Sequence, residues 1–204
     1  MSTTSKACLR HRIFRVAVLT GFVIGLGALT PAVATAEDEP YILANLYSGL
    51  VVDVPAPNGS TANTFTVLWS DWGGANQRFD LVPIDPNNPN SDFLIKVRHA
   101  GKCLDVNNAR GDDGARIQTF DCYGGASQRW YTEIVRDPYC QPMTFCGNAT
   151  TIRARHSGKC LDAHNPNPSL ANRPKQGTHL QQWTCFNNVN QFWSIRGGPG
   201  PILR

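Results

Sequence analysis

Three aspartates stand at matching places in the chain, each at the end of a short apolar element: Val51-Val52-Asp53, Cys103-Leu104-Asp105 and Cys160-Leu161-Asp162. Each is followed by a stretch that ends in an aromatic: Val67-Leu68-Trp69, Gln118-Thr119-Phe120 and Gln181-Gln182-Trp183. Each unit then closes on glutamine, any residue, aromatic: Gln77-Arg78-Phe79, Gln128-Arg129-Trp130 and Gln191-Phe192-Trp193. A carboxylate accepts two hydrogen bonds at once, and charged acceptors make the stronger ones. An amide both donates and accepts. An aromatic ring offers a negative face to weakly positive C–H groups. This is equipment for holding a polar ligand rather than for reacting with it. The competing use of such an aspartate is to close a turn with its own side chain, and for Asp53 the two uses are evenly matched.

Reactive constellations are not found. His99, His156, His164 and His179 form no His-Glu-x-x-His pattern and accompany no Gly-x-Ser-x-Gly. Asp112 and Asp113 could imitate a pair of acid–base carboxylates, but neighbours on a glycine-flanked turn point apart. Arg110-Gly111-Asp112 reads as a solvated turn. No catalytic residue, metal site or cofactor is expected.

The positioning elements follow from the repetition. Units of about residues 41–84, 93–135 and 151–196 carry the same landmarks in the same order, the mark of one supersecondary unit used several times. Turn-rich linkers separate them: Asp85 to Ser91, and Asp137 to Ala149. Within units, residues 93–99 and 151–157 alternate apolar with basic residues, the period of a half-buried strand, and 116–120 and 179–183 behave alike. No convincing helical stripe occurs after the first segment. About four strands per unit cannot bury their own apolar face. Three units around a pseudo-threefold axis close a small barrel with few open edges. The closing aromatics Phe79, Trp130 and Trp193 are its expected core positions.

Residues 1–36 stand apart. A basic start (Lys6, Arg10, Arg12, Arg15), an apolar run from Val16 to Leu29 and Ala34-Thr35-Ala36 have the anatomy of a secretory signal peptide. Those four basic residues account for the whole formal charge of +4. Residues 37–204 are therefore neutral and give no electrostatic case for binding nucleic acid, and the apolar run is too short to insert comfortably in a membrane. Beyond Cys8, six cysteines remain, an even number that suits disulfides in an exported, extracellular protein. Their count alone allows 15 pairings.

Cys-Leu-Asp followed at a distance by Gln-x-Trp, twice in full and once as Val-Val-Asp with Gln-x-Phe, between about residues 41 and 196, resembles the ricin B-type lectins and the carbohydrate-binding modules related to them. The resemblance implies a β-trefoil, all-β, with three pseudo-symmetric repeats filling one domain over 37–204. It implies one shallow sugar site per repeat. The third looks complete, with Asp162, Gln181, Trp183, Asn190 and Gln191. The second has Asp105, Gln118, Phe120 and Gln128, but Ser127 where the family has asparagine. The first has Asp53, Trp69, Asn76 and Gln77, but Val67 in place of the polar glutamine. The implied ranking is third, second, first. In such a site the carboxylate takes two hydroxyls of a pyranose, and the ring stacks on its C–H face.

The family pairs the two cysteines of a unit, which implies Cys103–Cys122 and Cys160–Cys185 and leaves Cys140 with Cys146. The first unit has Val51 and Asp71 at those places and must do without a bridge worth about 3 kcal/mol. The span from Cys160 to Cys185 is 25 positions, against 19 in the second unit. The extra residues, rich in proline and asparagine, are expected to rim the third site. The function implied is that of a secreted, non-enzymatic carbohydrate-binding protein for galactose- or xylose-type glycans, alone or beside a secreted enzyme. The alternatives are a loop-mediated peptidase inhibitor and the cell-binding subunit of a secreted toxin.

Overall fold

The computed structural model describes residues 39–55, 62–139 and 148–198. The expected signal segment, Cys140 and Cys146 lie outside the described residues. The described residues form twelve strands, four per repeat. The first repeat holds β1 (Tyr41–Asn45), β2 (Val51–Asp53), β3 (Val67–Trp69) and β4 (Phe79–Pro83). The second holds β5 (Phe93–Val97), β6 (Cys103–Val106), β7 (Ile117–Phe120) and β8 (Arg129–Arg136). The third holds β9 (Asn148–Ala154), β10 (Cys160–Ala163), β11 (Leu180–Trp183) and β12 (Trp193–Gly197).

The first and last strand of each repeat close a ring of six. β1 pairs β4, β4 pairs β5, β5 pairs β8, β8 pairs β9, β9 pairs β12, and β12 returns to β1, all antiparallel. Closure removes open edges from these strands. The middle strands form three hairpins in one register: Asp53 faces Val67, Asp105 faces Gln118, and Asp162 faces Gln181. Single bridges join hairpin to hairpin around the axis, at Phe65 with Gln118, Arg116 with Gln181 and Val67 with His179. This is the β-trefoil expected from the three units.

One glycine per repeat starts each hairpin. Gly49, Gly101 and Gly158 have φ of 71°, 63° and 69°, which a side chain resists. Each donates its amide back to the strand before it, at Asn45, Val97 and Ala154. The closing aromatics are core: Phe79 and Trp130 are fully buried and Trp193 nearly so. Trp130 Nε1 donates to the Leu104 carbonyl at 3.3 Å, and Trp193 Nε1 to that of Leu161 at 2.9 Å. The core also takes Leu43, Leu68, Ile95, Ile117, Ile152 and Leu180.

Disulfides Cys103–Cys122 and Cys160–Cys185 tie the hairpin ends of the second and third repeats. In the first repeat an ion pair holds the equivalent loop instead: Arg78 donates to Asp71 at 2.9 Å. Burial pushes the Asp71 carboxyl up, but hydrogen bonds from Arg78 and Gly73 outweigh it and keep the group below the usual carboxylate range.

Candidate functional site

The third repeat builds a hollow of about 440 Å³. Asp162, on β10, lies at its floor, only 2% exposed. Three amides hold the carboxylate. Gln181 Nε2, across the hairpin on β11, donates to Oδ1 at 3.0 Å. Asn190 Nδ2 and Gln191 Nε2 donate to Oδ2 at 2.7 and 2.9 Å. Gln191 is itself fixed, donating to Thr184 O at 2.9 Å and accepting from Phe186 N at 2.8 Å. The closing glutamine thus orients the aspartate instead of standing free. Asn190 Oδ1 is buried with no hydrogen-bond partner among the described residues, an acceptor left for something else.

Burial pushes the Asp162 carboxyl up to about 6, against hydrogen bonds from Gln181 and Gln191 that pull it down. His164 pulls in the same downward direction and Asp113 in the upward one. His164 also lines the hollow and stacks on His179, ring centres 4.5 Å apart and 12° between planes. Burial, then Arg116 and His164, hold His179 below its ordinary range, partly offset by its hydrogen bond with Gln181.

Trp183 forms one wall, and the long insertion forms the other through Asn165, Pro166 and Pro168. Asn172 braces that insertion from inside, donating to Asn165 Oδ1 at 3.1 Å and Asn167 O at 2.9 Å and accepting from Asn165 Nδ2 at 2.7 Å. Opposite Trp183 lies a glycine of the neighbouring repeat, Gly114, whose Cβ would come 3.6 Å from the ring. Arg110, Gly111 and Asp112 are exposed, the solvated turn expected, but the segment is anchored through its backbone and Asp113. Asp113 accepts from Lys159 Nζ and Thr184 N, both at 2.7 Å, and Gln182 Nε2 donates to the carbonyls of Arg110 and Asp112. It docks the second repeat on the third hairpin.

The first repeat has a hollow of about 340 Å³ lined by Asp53, Pro55, Val67, Trp69, Trp72, Asn76 and Gly177. Gln77 Nε2 donates to Asp53 Oδ2 at 2.8 Å. Asn76 turns its amide to Val54 O at 3.4 Å. Trp69, a strand aromatic that ordinary patterning would bury, is 42% exposed, and Trp72 is 64% exposed. This hollow has two indoles and one carboxylate, with Val67 where the third has Gln181.

The second repeat differs again. Asp105 Oδ2 accepts from Ser127 Oγ at 3.2 Å and from the Tyr123 hydroxyl at 3.3 Å. Gln118 accepts from Asn107 Nδ2 at 2.7 Å. Gln128 donates to Asp121 O at 2.8 Å and accepts from Tyr123 N at 3.0 Å. Phe120 meets Tyr123 edge to face.

Sequence reasoning passed over Trp72, Tyr123 and Phe186. All three stand five places before a closing glutamine, at Gln77, Gln128 and Gln191. Aligning the repeats one landmark further would have found them. It also passed over His164 and Asn188, which line the third hollow.

The model of the ricin-type β-trefoil lectin domain matches residues 91–200. The chain belongs to this family. The match takes in the second and third repeats, and structural likeness extends further. A designed threefold-symmetric protein, ThreeFoil, is 28% identical with a TM-score of 0.60, over 76% of this chain and 96% of its own. An exo-β-1,3-galactanase from Clostridium thermocellum is 26% identical with a TM-score of 0.62, over 80% of this chain. This chain spans about a third of that enzyme's length, 31%. The Macrolepiota procera ricin B-like lectin, solved with lactose, is 17% identical with a TM-score of 0.54 over 79% of this chain and 96% of its own, a likeness of fold. Membership makes this a lectin-type domain, a class of carbohydrate binders.

Proposed function

We propose that the protein is an exported lectin without catalytic activity that binds sugar residues of a glycan or polysaccharide, with its third repeat as the principal site. The observation that carries this reading is Asp162. A nearly buried carboxylate, held by Gln181, Asn190 and Gln191, faces a hollow walled by Trp183. Oδ1, which accepts only from Gln181, keeps capacity for a sugar hydroxyl, and Trp183 offers a ring for a C–H face. The unpartnered Asn190 Oδ1 adds an acceptor for a hydroxyl proton. Galactose- and xylose-type sugars are the candidates.

Export is supported by the signal-like start and by two disulfides. Among the described residues no helix is long and apolar enough to cross a membrane. The likeness to one domain of a galactanase supports a role beside a secreted glycan-degrading enzyme.

A glycan array on the protein, with Asp162→Ala and Asp105→Ala beside it, tests the reading. Saturable binding abolished by free sugar is expected, and Asp162→Ala should weaken it far more than Asp105→Ala. Equal binding by all three would leave the third hollow without a role. Binding insensitive to free sugar would point to a protein partner instead.

A further inference from the structure

Each repeat sets an aromatic just after its hairpin, followed by two residues that steer it. The first of these takes a left-handed backbone: Gly73 at φ 82°, Gly124 at 69° and Asn187 at 54°. The second is Gly74, Gly125 or Asn188. A Cβ at Gly74 would lie 2.1 Å from Trp72 Cζ2, and one at Gly125 would lie 2.1 Å from Tyr123 Cε2. In the first two repeats, then, the ring folds back over a bare backbone, a pose that any side chain there would forbid. In the third repeat Asn188 carries that Cβ and is itself engaged, accepting from the Tyr139 hydroxyl at 2.7 Å.

The consequence differs with the ring. Trp72 has no hydroxyl, and its folded pose adds a wall to the first hollow. Tyr123 has one, and the pose carries it onto the second site. The phenol oxygen lies 2.7 Å from Ser127 Oγ and 3.3 Å from Asp105 Oδ2. Ser127 is shorter than Asn190, its counterpart in the third repeat, and bonds both the phenol and Asp105. The Tyr123 ring also stands edge-on to Phe120, centres 6.2 Å apart and 88° between planes. Both groups that would recognise a sugar, the carboxylate and the platform, are therefore engaged from within.

We propose that Tyr123 is a built-in ligand of the second site, its phenol taking the place of a sugar hydroxyl on Asp105 and leaving the first and third sites to bind. The proposal rests on the lectin reading above and decides which sites that reading can use. A sugar entering the second site must displace a hydrogen-bonded group, so its apparent affinity falls by the fraction of time the tyrosine is away.

Tyr123 is 59% exposed, so its replacement leaves the core intact. The test is amide-resolved NMR titration with lactose and with xylotriose. Wild type should shift Asn190 and Gln191 but not Ser127 and Gln128. Tyr123→Ala, and more so Tyr123→Ala with Ser127→Asn, should bring Ser127 and Gln128 into the response, with apparent affinity there raised about tenfold or more. In the free protein the Tyr123 ring should show a nuclear Overhauser contact to the Ser127 β-protons. Absence of that contact overturns the plug and leaves the lectin reading standing. So does a variant in which Asn190 responds while Ser127 stays silent, or a wild type in which both respond equally. Silence of every site in all variants sinks the lectin reading and this proposal with it.

Discussion

Asp162 shows how one side chain can be both costly and useful. Burial pushes it up to about 6, while in an unfolded chain it stays near the ordinary value of about 3.9. As pH rises from about 4 to about 6, the unfolded chain gives up the proton first, so the stability tied to this group declines over that window and stays lower above it. Binding runs the other way, because the ionised form accepts hydroxyls best. Third-site affinity should therefore fall about tenfold between pH 7 and pH 5, read by calorimetric titration with the sugar that the array identifies. Asp162→Asn should abolish the slope along with most of the affinity. A slope that survives in that variant would move the titration to His179, whose ring stacks on His164 of the hollow's lining.

At the scale of elements, the insertion after β10 breaks the threefold symmetry. It reaches two hollows at once. Pro166 and Pro168 line the third, while Gly177 lines the first and donates its amide to Leu68 O on β3, whose own amide donates to Thr178 O. Arg173 Nη1 donates to Tyr47 O at 3.1 Å, tying the loop to the first repeat. The loop's own bonds are mostly between exposed polar groups, so it contributes little to global stability. Deleting Pro166 to Arg173 should lower third-site affinity or broaden its selectivity on a glycan array, while the melting temperature drops by only a few degrees. An unchanged array profile would show the loop to be spectator structure.

At the scale of the molecule, the three closing aromatics meet in one core, and two of them add a hydrogen bond from an indole to a hairpin carbonyl. Phe79 does without. Trp193→Phe, which copies the first repeat into the third, should cost about 1–3 kcal/mol, since it leaves the Leu161 carbonyl unpaired and a gap in a packed core. Urea unfolding measures it, and a loss under about 0.5 kcal/mol would show that the core refills. The repeat landmarks, a small barrel of three units and its core aromatics were legible in the sequence, because period-two patterning and a threefold recurrence leave one economical way to bury the apolar faces. The trefoil by name and the pairing of Cys103 with Cys122 and Cys160 with Cys185 came from the resemblance that those landmarks carry, not from the patterning. Which hollows stand open could not be read that way. It depends on where a ring five places before a closing glutamine can lie, and that is decided by a Cβ at Asn188 and its lack at Gly125, by the serine at 127, and by an insertion folded back across two repeats. The first two are steric contacts within one loop, which exist only once its backbone has taken the left-handed turn at residue 124 or 187, and the third joins different repeats only once the barrel has brought them together.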